Sequence, residues 1–373
     1  MKANIHFFDV SHGDSIVIEY ILEESSHFIV IDCNYSKRVN TRVNPAFEFL
    51  KKKNVQNIDA VVLTHLHADH YTGMDEILNE FEVNKILIPP FLSLKSGIFN
   101  KEIDKIKAKI IELISRTNDE LILKRSYSLA NIIHFLSNNE DKIIEANGPE
   151  NAFRLPFSSE PLGNILLPLP RVKGRLRQMI SAGNFELDSF GEMNDASVVL
   201  LLNIGKNKII FGADSTESQW LQHARQLKND GVICWDSNML KAPHHGSKHN
   251  NTKKLYDYLL TSHSDNYVFI SAEGKKHPHD EIFDLIVERN MLPYCTGLAR
   301  QCLGSNISSI AGLARIPKQF RPMLSSYEIE DLPVACQGDI TIEISDISTK
   351  IYSSTGNSCI YRLSNPAPVK KLI

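Results

Sequence analysis

Short runs of β-branched and aromatic residues open the chain. Ile5 to Val10, Ser15 to Tyr20 and Phe28 to Ile31 read as strands, with a turn signal at Gly13-Asp14. A helix is predicted around Ala46 to Lys53, followed by an apolar run from Ala60 to Leu63. Another short strand, Lys85 to Ile88, is stopped by Pro89-Pro90. From 101 to 147 the pattern changes to a helical period: Ile103, Ile106, Ile110, Leu113 and Ile114 share one face, opposite lysine and glutamate. Prolines at 149, 156, 161, 168 and 170 mark a loop-rich boundary, and Arg171 to Met193 is polar with weak periodicity. Strands resume at Ser197 to Leu202 and Lys208 to Phe211, with a helix over Glu217 to Leu227, a strand over 267–271 and a helix over Asp280 to Arg289. Asp339 to Ile344 alternates again. No solenoid period and no low-complexity tract interrupts the series. Short strands with helices between some of them predict an α/β or α+β sandwich.

Composition narrows the class without naming a function. The 373 residues suffice for one large domain or two modest ones, and 42% hydrophobic with 23% charged residues is ordinary for a chain with a proper core. A formal net charge of −3 gives no global attraction to nucleic acid or acidic membranes. A polynucleotide partner would need a local basic patch. Arg171, Lys173, Arg175 and Arg177 are the candidate, a solvated loop being the plainer reading. No secretory signal opens the sequence, and no stretch approaches the roughly 18 apolar residues of a membrane helix. Six cysteines, at 33, 234, 295, 302, 336 and 359, form no C-x-x-C pair. Reduced thiols and a cytoplasmic location are expected.

The chemistry concentrates in Thr64-His65-Leu66-His67-Ala68-Asp69-His70. The apolar run before it predicts a buried strand, and Tyr71-Thr72-Gly73-Met74 opens a helix, so the cluster sits on a strand-to-helix turn. Imidazoles and a carboxylate suit zinc, and also manganese or iron. Four ligands are too many for one open catalytic ion. The natural division gives His65 and His67 to one metal, Asp69 and His70 to a second, spaced roughly 3.5–4 Å as in two-metal sites. Asp214, ending the apolar strand before Ser215, is the candidate bridge; a helix N-cap is the alternative. His244 and His245, followed by Gly246, could ligate metal, donate a proton to a leaving group or grip a phosphate. One of His277 and His279 could complete the second metal's shell.

Together these residues resemble the metallo-β-lactamase superfamily. His65-x-His67-x-Asp69-His70 matches its hallmark motif and Asp214 its bridging aspartate. Within it, the resemblance is nearest to the soluble hydrolase domain of the competence protein ComEC and its stand-alone relatives. The markers are Phe8-Asp9-Val10-Ser11-His12-Gly13-Asp14-Ser15, Asp32, Asn194-Asp195-Ala196-Ser197, Lys241 to Ser247, Lys276-His277-Pro278 and Gly338-Asp339-Ile340. The resemblance covers roughly residues 4–90, 192–295 and 337–345. It implies a four-layer αββα sandwich as a single domain over 1–373, carrying a largely helical insert at about 91–191 and another at about 297–336. The usual third histidine is replaced near the strand at 197 by Asn194, and the ComEC transmembrane channel is missing.

The resemblance implies a binuclear hydrolase that uses two Zn2+ or Mn2+ ions and a hydroxide formed from bound water. A phosphodiesterase or nuclease is the leading expectation, with a phosphate-containing substrate such as DNA, RNA or a nucleotide. Asp69 is expected to orient the nucleophile, and His245 to donate a proton to the leaving oxygen or hold a non-bridging one. The expected metal ligands are His65, His67, Asp69, His70, Asp214, His244 and His277. Hydrolysis of a small ester, thioester or lactam is one alternative. A silent module that binds a partner protein through its inserts is another.

Overall fold

The strand-forming runs collect into two mixed sheets in the computed structural model. It describes residues 2–23, 25–36, 43–90, 92, 100–148, 152–154, 162–181, 191–229, 235–260, 266–272, 276–297, 299, 336–356, 359 and 370–371. One sheet holds β1 (Lys2–Phe7), β2 (Ile16–Leu22), β3 (Ser25–Ile31), β4 (Asn57–Val62), β5 (Glu82–Ile88), β6 (Ile143–Glu145), β14 (Ile340–Ile344), β15 (Thr349–Ser353) and β16 (Lys370–Lys371), in the order β16-β15-β14-β1-β2-β3-β4-β5-β6. The other holds β7 (Ala152–Phe153), β8 (Gly163–Leu167), β9 (Val199–Ile204), β10 (Asn207–Phe211), β11 (Met239–Lys241), β12 (Tyr267–Ile270) and β13 (Leu292–Cys295), in the order β13-β12-β11-β10-β9-β8-β7.

Apart from the parallel edge pair β15 and β16, each sheet is antiparallel on one side and parallel on the other. β3 to β6 run parallel in the first, and β10 to β13 in the second. β4 is buried from Ile58 onward, as a strand covered on both faces must be, with Asp59 its one buried charge.

Helices cover the outer faces: α1 (Pro45–Lys52), α2 (Ala68–Tyr71), α3 (Met74–Glu80), α4 (Asn100–Arg116), α5 (Glu120–Asn138), α6 (Pro170–Ser181), α7 (Gly191–Asp195), α8 (Glu217–Asn229), α9 (Lys253–Leu259) and α10 (Asp280–Glu288). Three apolar layers hold the sandwich together. Between the sheets, Ile5, Phe7, Ile18 and Val62 meet Leu200, Ile209, Phe211 and Phe269. Phe7 and Phe269 stack with centroids 4.9 Å apart, a contact typically worth about 0.5–1.5 kcal/mol beyond area burial. Outside the first sheet, Val61 and Ile86 pack with Leu50, Ile77, Ile106, Leu129 and Leu176 of the helices. Outside the second, Ile210, Leu240 and Val268 pack with Trp220, Tyr256 and Phe283. This is the four-layer αββα sandwich that the resemblance implies.

Local patterning passed over β11, β13, β15 and β16 and misjudged three further places. The helical stretch expected over 101–147 is two helices, α4 and α5, and then turns into the edge strand β6. The proline-rich boundary hides β7 and β8. The polar run after Arg171 forms α6, whose Val172, Leu176 and Ile180 recur at four-residue spacing and are buried. Of the second expected insert, residues 298 and 300–335 lie outside the described residues, as do Cys234 and Cys302; Cys33, Cys295, Cys336 and Cys359 are buried. No helix among the described residues is long and apolar enough to cross a membrane.

Two histidines away from the strand ends couple this core to pH. Burial lowers His223 to about 4, and His6 to about 4 with Lys53 adding to the effect against Glu19. The unfolded chain takes up these protons near pH 6.5, the folded one only near 4, so stability falls as pH drops through that interval. The His223 ring is buried, makes no hydrogen bond and stacks on Trp235 at 5.5 Å. His223→Leu is therefore expected to fold at pH 7 and to flatten the fall in melting temperature between pH 6.5 and 4. Thermal denaturation of both proteins across that range measures it.

Candidate metal centre

The carboxyl ends of the parallel strands converge on one edge of the sandwich, where α/β sheets commonly place their ligands. Beyond β4 the chain passes through Thr64 and His65 to His67, which stands at the N-cap position of α2 in an extended conformation. Asp69 and His70 then fall in the first turn of that short helix, so four potential ligands are packed into six residues. Asp32, after β3, fixes their orientation. Its Oδ1 accepts the Thr64 N–H at 2.8 Å and its Oδ2 accepts the Thr64 hydroxyl at 2.6 Å. With its proton committed to Asp32, the Thr64 hydroxyl accepts from His65 Nδ1 at 3.0 Å. Asp32 Oδ2 also lies 2.7 Å from His70 Nδ1. One carboxylate thus puts the protons of both imidazoles on Nδ1 and leaves both Nε2 atoms as acceptors, the arrangement metal-ligating histidines adopt.

Asp214 arrives from the other sheet, in the turn after β10. It precedes α8 by three residues, and its carboxylate faces the histidines instead of capping that helix. Its Oδ1 lies 3.4 Å from His70 Nε2 and 3.5 Å from His245 Nε2. Its Oδ2 lies 3.9 Å from His65 Nε2 and 3.7 Å from His244 Nε2. Asp69 Oδ2 closes one group, 3.7 Å from His70 Nε2 and 3.5 Å from His245 Nε2. His67 Nδ1 closes the other, 3.1 Å from His65 Nε2. Ligands bonded about 2.0–2.1 Å from a tetrahedral zinc ion lie about 3.3–3.4 Å from one another. The observed separations cluster around that value, on the two sides of one carboxylate.

His244 and His245 sit in a 3-10 turn over Pro243–Gly246, both in left-handed backbone, with φ of 47° and 52°. Of nine described non-glycine residues with positive φ, five (Ser11, Asp32, Ala213, His244 and His245) lie in the loops of this site. Such conformations cost about 1–3 kcal/mol each and persist only where the surroundings enforce them.

Sequence reasoning missed several members of the constellation. Asp14, Asp32 and Lys241 stood only as markers of the resemblance. Lys241 Nζ and Asp14 Oδ2 form a buried ion pair at 2.8 Å, and Asp14 Oδ1 lies 3.7 Å from His245 Nδ1. His12 Nε2 lies 2.9 Å from Asp69 Oδ2, with its ring 41% exposed at the mouth. The signal available was an acid in an apolar strand-loop context, which does not by itself specify a site. Conversely, His277 is not in the second group, where His245 takes the expected place. Its ring lies 5.1 Å from that of His244, with Nδ1 3.2 Å from His279 Nδ1. Asn194 is buried, with its Oδ1 unpaired.

The electrostatics match a cation site. Burial alone would raise Asp69 and Asp214, yet neighbouring imidazoles, His70 foremost at Asp69 and His245 at Asp214, hold both well below the usual carboxylate range. His65 is pushed well down by burial and by His70 and His67. His70 Nε2, Asp214 Oδ1 and His245 Nε2 are buried and make no hydrogen bond of ordinary geometry. Polar atoms so buried carry a desolvation cost unless something meets them. The donor set of imidazole and carboxylate suits zinc or manganese.

Residues 9–98 match the family model described as "Metallo-beta-lactamase superfamily". That stretch includes His65, His67, Asp69 and His70, and the fold is the metallo-β-lactamase fold. Among solved structures it is similar to the hydrolase AbOPH of the β-lactamase superfamily, at 13% identity and TM-score 0.29 over 54% of this chain and 56% of that one. It is also similar to a diphosphatase of the PhnP family, at 12% identity and TM-score 0.35 over 76% and 91%. A third is AidC, a dizinc quorum-quenching lactonase, at 15% identity and TM-score 0.29 over 57% and 68%. The chain thus spans a little over half the length of the first of these. No curated protein matches it.

The loop before β2 is wedged against this centre. Gly13 has φ of +104°, and a Cβ there would lie 1.9 Å from the Asp69 carbonyl oxygen. Gly13→Ala must therefore displace the Asp69 backbone. A loss beyond the roughly 1 kcal/mol of an ordinary strained alanine is expected, with weakened divalent-ion binding. Melting temperature and ion content after dialysis measure the two effects.

Proposed function

We propose that the protein is a binuclear metal-dependent hydrolase of phosphodiesters, acting on nucleic acid or nucleotides. The observation that carries this reading is the pair of ligand groups divided by Asp214, with buried atoms His70 Nε2, Asp214 Oδ1 and His245 Nε2 left without hydrogen bonds. His65, His67, His244 and Asp214 Oδ2 would hold one ion, and Asp69, His70, His245 and Asp214 Oδ1 the other. A pair of divalent ions supplies a low-pKa water and charge stabilisation at the attacking and leaving oxygens.

The chain's own residues do the positioning. Asp32 and Thr64 set the imidazoles, and Asp69, with His12 at its free edge, faces the mouth where an attacking water would be oriented. In this reading His245 acts as a ligand, one of the roles open to it, and not as the proton donor. Its Nε2, the nitrogen a donor would use, is the atom inside the second group, and a nitrogen that holds an ion has no proton to give.

Two features favour a phosphate ester over an acyl substrate with an apolar tail. Beside the ligand groups stand two further imidazoles, His12 next to Asp69 and His277 next to His244. The exposed large apolar residues among those described (Ile111, Leu121, Tyr127, Val287 and Ile347) lie on α4, α5, α10 and the turn after β14, away from the site loops. The resemblance to ComEC-type hydrolase domains points the same way, since its markers Asp14, Asp32, Lys241 and His245 all fall in the site. Two charges of the basic run are engaged within the chain. Lys173 pairs with Glu145 and Arg175 with Asp195, while the side chain of Arg177 lies outside the described residues.

Asp69→Ala/His70→Ala is expected to keep the fold, lose one of two bound Zn2+ or Mn2+ ions and abolish hydrolysis of bis(p-nitrophenyl) phosphate. Ion content, circular dichroism and phosphatase assays read these separately, and full activity in the variant would overturn the mechanism. For the substrate class, binding to single- and double-stranded DNA is expected to weaken steeply with salt. A flat salt response would restrict the reading to nucleotides.

A further inference from the structure

His245 presents two nitrogens to two different environments. Nε2 enters the second ligand group, 3.5 Å from both Asp69 Oδ2 and Asp214 Oδ1. Nδ1 lies on the opposite side of the ring, buried and without a hydrogen bond, 3.7 Å from Asp14 Oδ1. That oxygen is equally buried and equally without a hydrogen bond. The other oxygen of the same carboxylate is gripped by the Lys241 ammonium at 2.8 Å, both side chains being almost fully enclosed. A neutral imidazole has one N–H and one lone pair. If the lone pair is on Nε2, the proton is on Nδ1 and needs an acceptor, and Asp14 Oδ1 is the acceptor in place. Closing the gap to an ordinary hydrogen bond takes a movement of roughly half an ångström.

We propose that Asp14, held by Lys241, is a positioning residue that fixes His245 with its Nδ1–H toward Asp14 and its Nε2 toward the second ion. The inference rests on the binuclear reading above. It gives the second sheet a counterpart of what Asp32 does in the first: Asp32 sets His70 directly and His65 through Thr64, and Asp14 sets His245. The ammonium lets Asp14 stay charged in a site enclosed on all sides, since the pair is neutral as a unit. The same loop docks on the other ligand of that ion, with Asp14 N–H donating to the Asp69 carbonyl at 3.3 Å.

A purely structural ion pair would explain the burial of Lys241 and Asp14 but would not affect the ions. The test uses the full chain, stripped of metal and titrated with Zn2+ against a chromophoric chelator. The wild type is expected to bind two ions. Asp14→Asn/Lys241→Met removes both charges together while nearly preserving shape. It is expected to melt near the wild type and to bind the first ion unchanged, with the second weakened about 10–100-fold, as loss of an orienting partner typically does. Wild-type affinity for both ions in that variant would overturn the positioning role. A wild type that binds no second ion would instead sink the binuclear reading. A second measurement does not depend on the variant folding: 15N spectra of the zinc-loaded wild type should show the Nδ1–H form of His245, and the Nε2–H form would refute the assignment.

Discussion

Four carboxylates, Asp14, Asp32, Asp69 and Asp214, are gathered with one ammonium, Lys241, in a space that admits little water. The Asp14, Asp32 and Asp214 side chains are at most 3% exposed and that of Asp69 16%, while Lys241 is 1% exposed. Isolated buried charge is expensive, and even after relaxation the penalty is several kcal/mol per ion. With neutral imidazoles the cluster carries three uncompensated negative charges. The chain alone can answer only by taking up protons, and it does so at His70, drawn up by Asp214, Asp69 and Asp32 against the effect of burial, and at Asp32, which burial raises. The two divalent cations proposed here would answer it more completely and would meet the unpaired ligand atoms at the same time. The site is thus built around charge that the polypeptide does not itself neutralise.

The fold supplies the rigidity that such a cluster demands. Every residue around it follows a buried strand: Asp14 follows β1, Asp32 β3, the histidine cluster β4, Asp214 β10, and His244 and His245 β11. The contributions come from both sheets, and the apolar layer between those sheets, centred on Phe7, Phe211 and Phe269, holds the two sets of strand ends in register. The left-handed residues are found where these strands hand over to site loops. Their strain is affordable because the strands on either side are closely packed and hydrogen-bonded.

How much of this was legible in the sequence depended on distance along the chain. His65, His67, Asp69 and His70 are adjacent, so their spacing alone announces a metal site, and strand-length apolar runs announced most of the two sheets. Lys241 and Asp14 are separated by 227 residues, and nothing local tells an aspartate in a turn that it will meet a lysine from the other sheet. The choice among His244, His245, His277 and His279 was equally out of reach, because it turns on backbone dihedrals. The helix α6 was obscured by its charged positions, which form ion pairs with Glu145 and Asp195 while Val172, Leu176 and Ile180 do the packing. The edge strand β6 was masked by the helical pattern before it.

The paired histidines show how backbone conformation decides chemistry here. In an extended strand, successive side chains point to opposite faces, so two adjacent imidazoles would be carried apart. In the left-handed turn after β11 they stay within reach of the same carboxylate, His244 at Asp214 Oδ2 and His245 at Asp214 Oδ1. That geometry offers an imidazole to each side of the bridge. His244 thus brings another imidazole to Asp214 Oδ2, beside those of His65 and His67. His277 stands beside His244, and His279 beside His277 in turn.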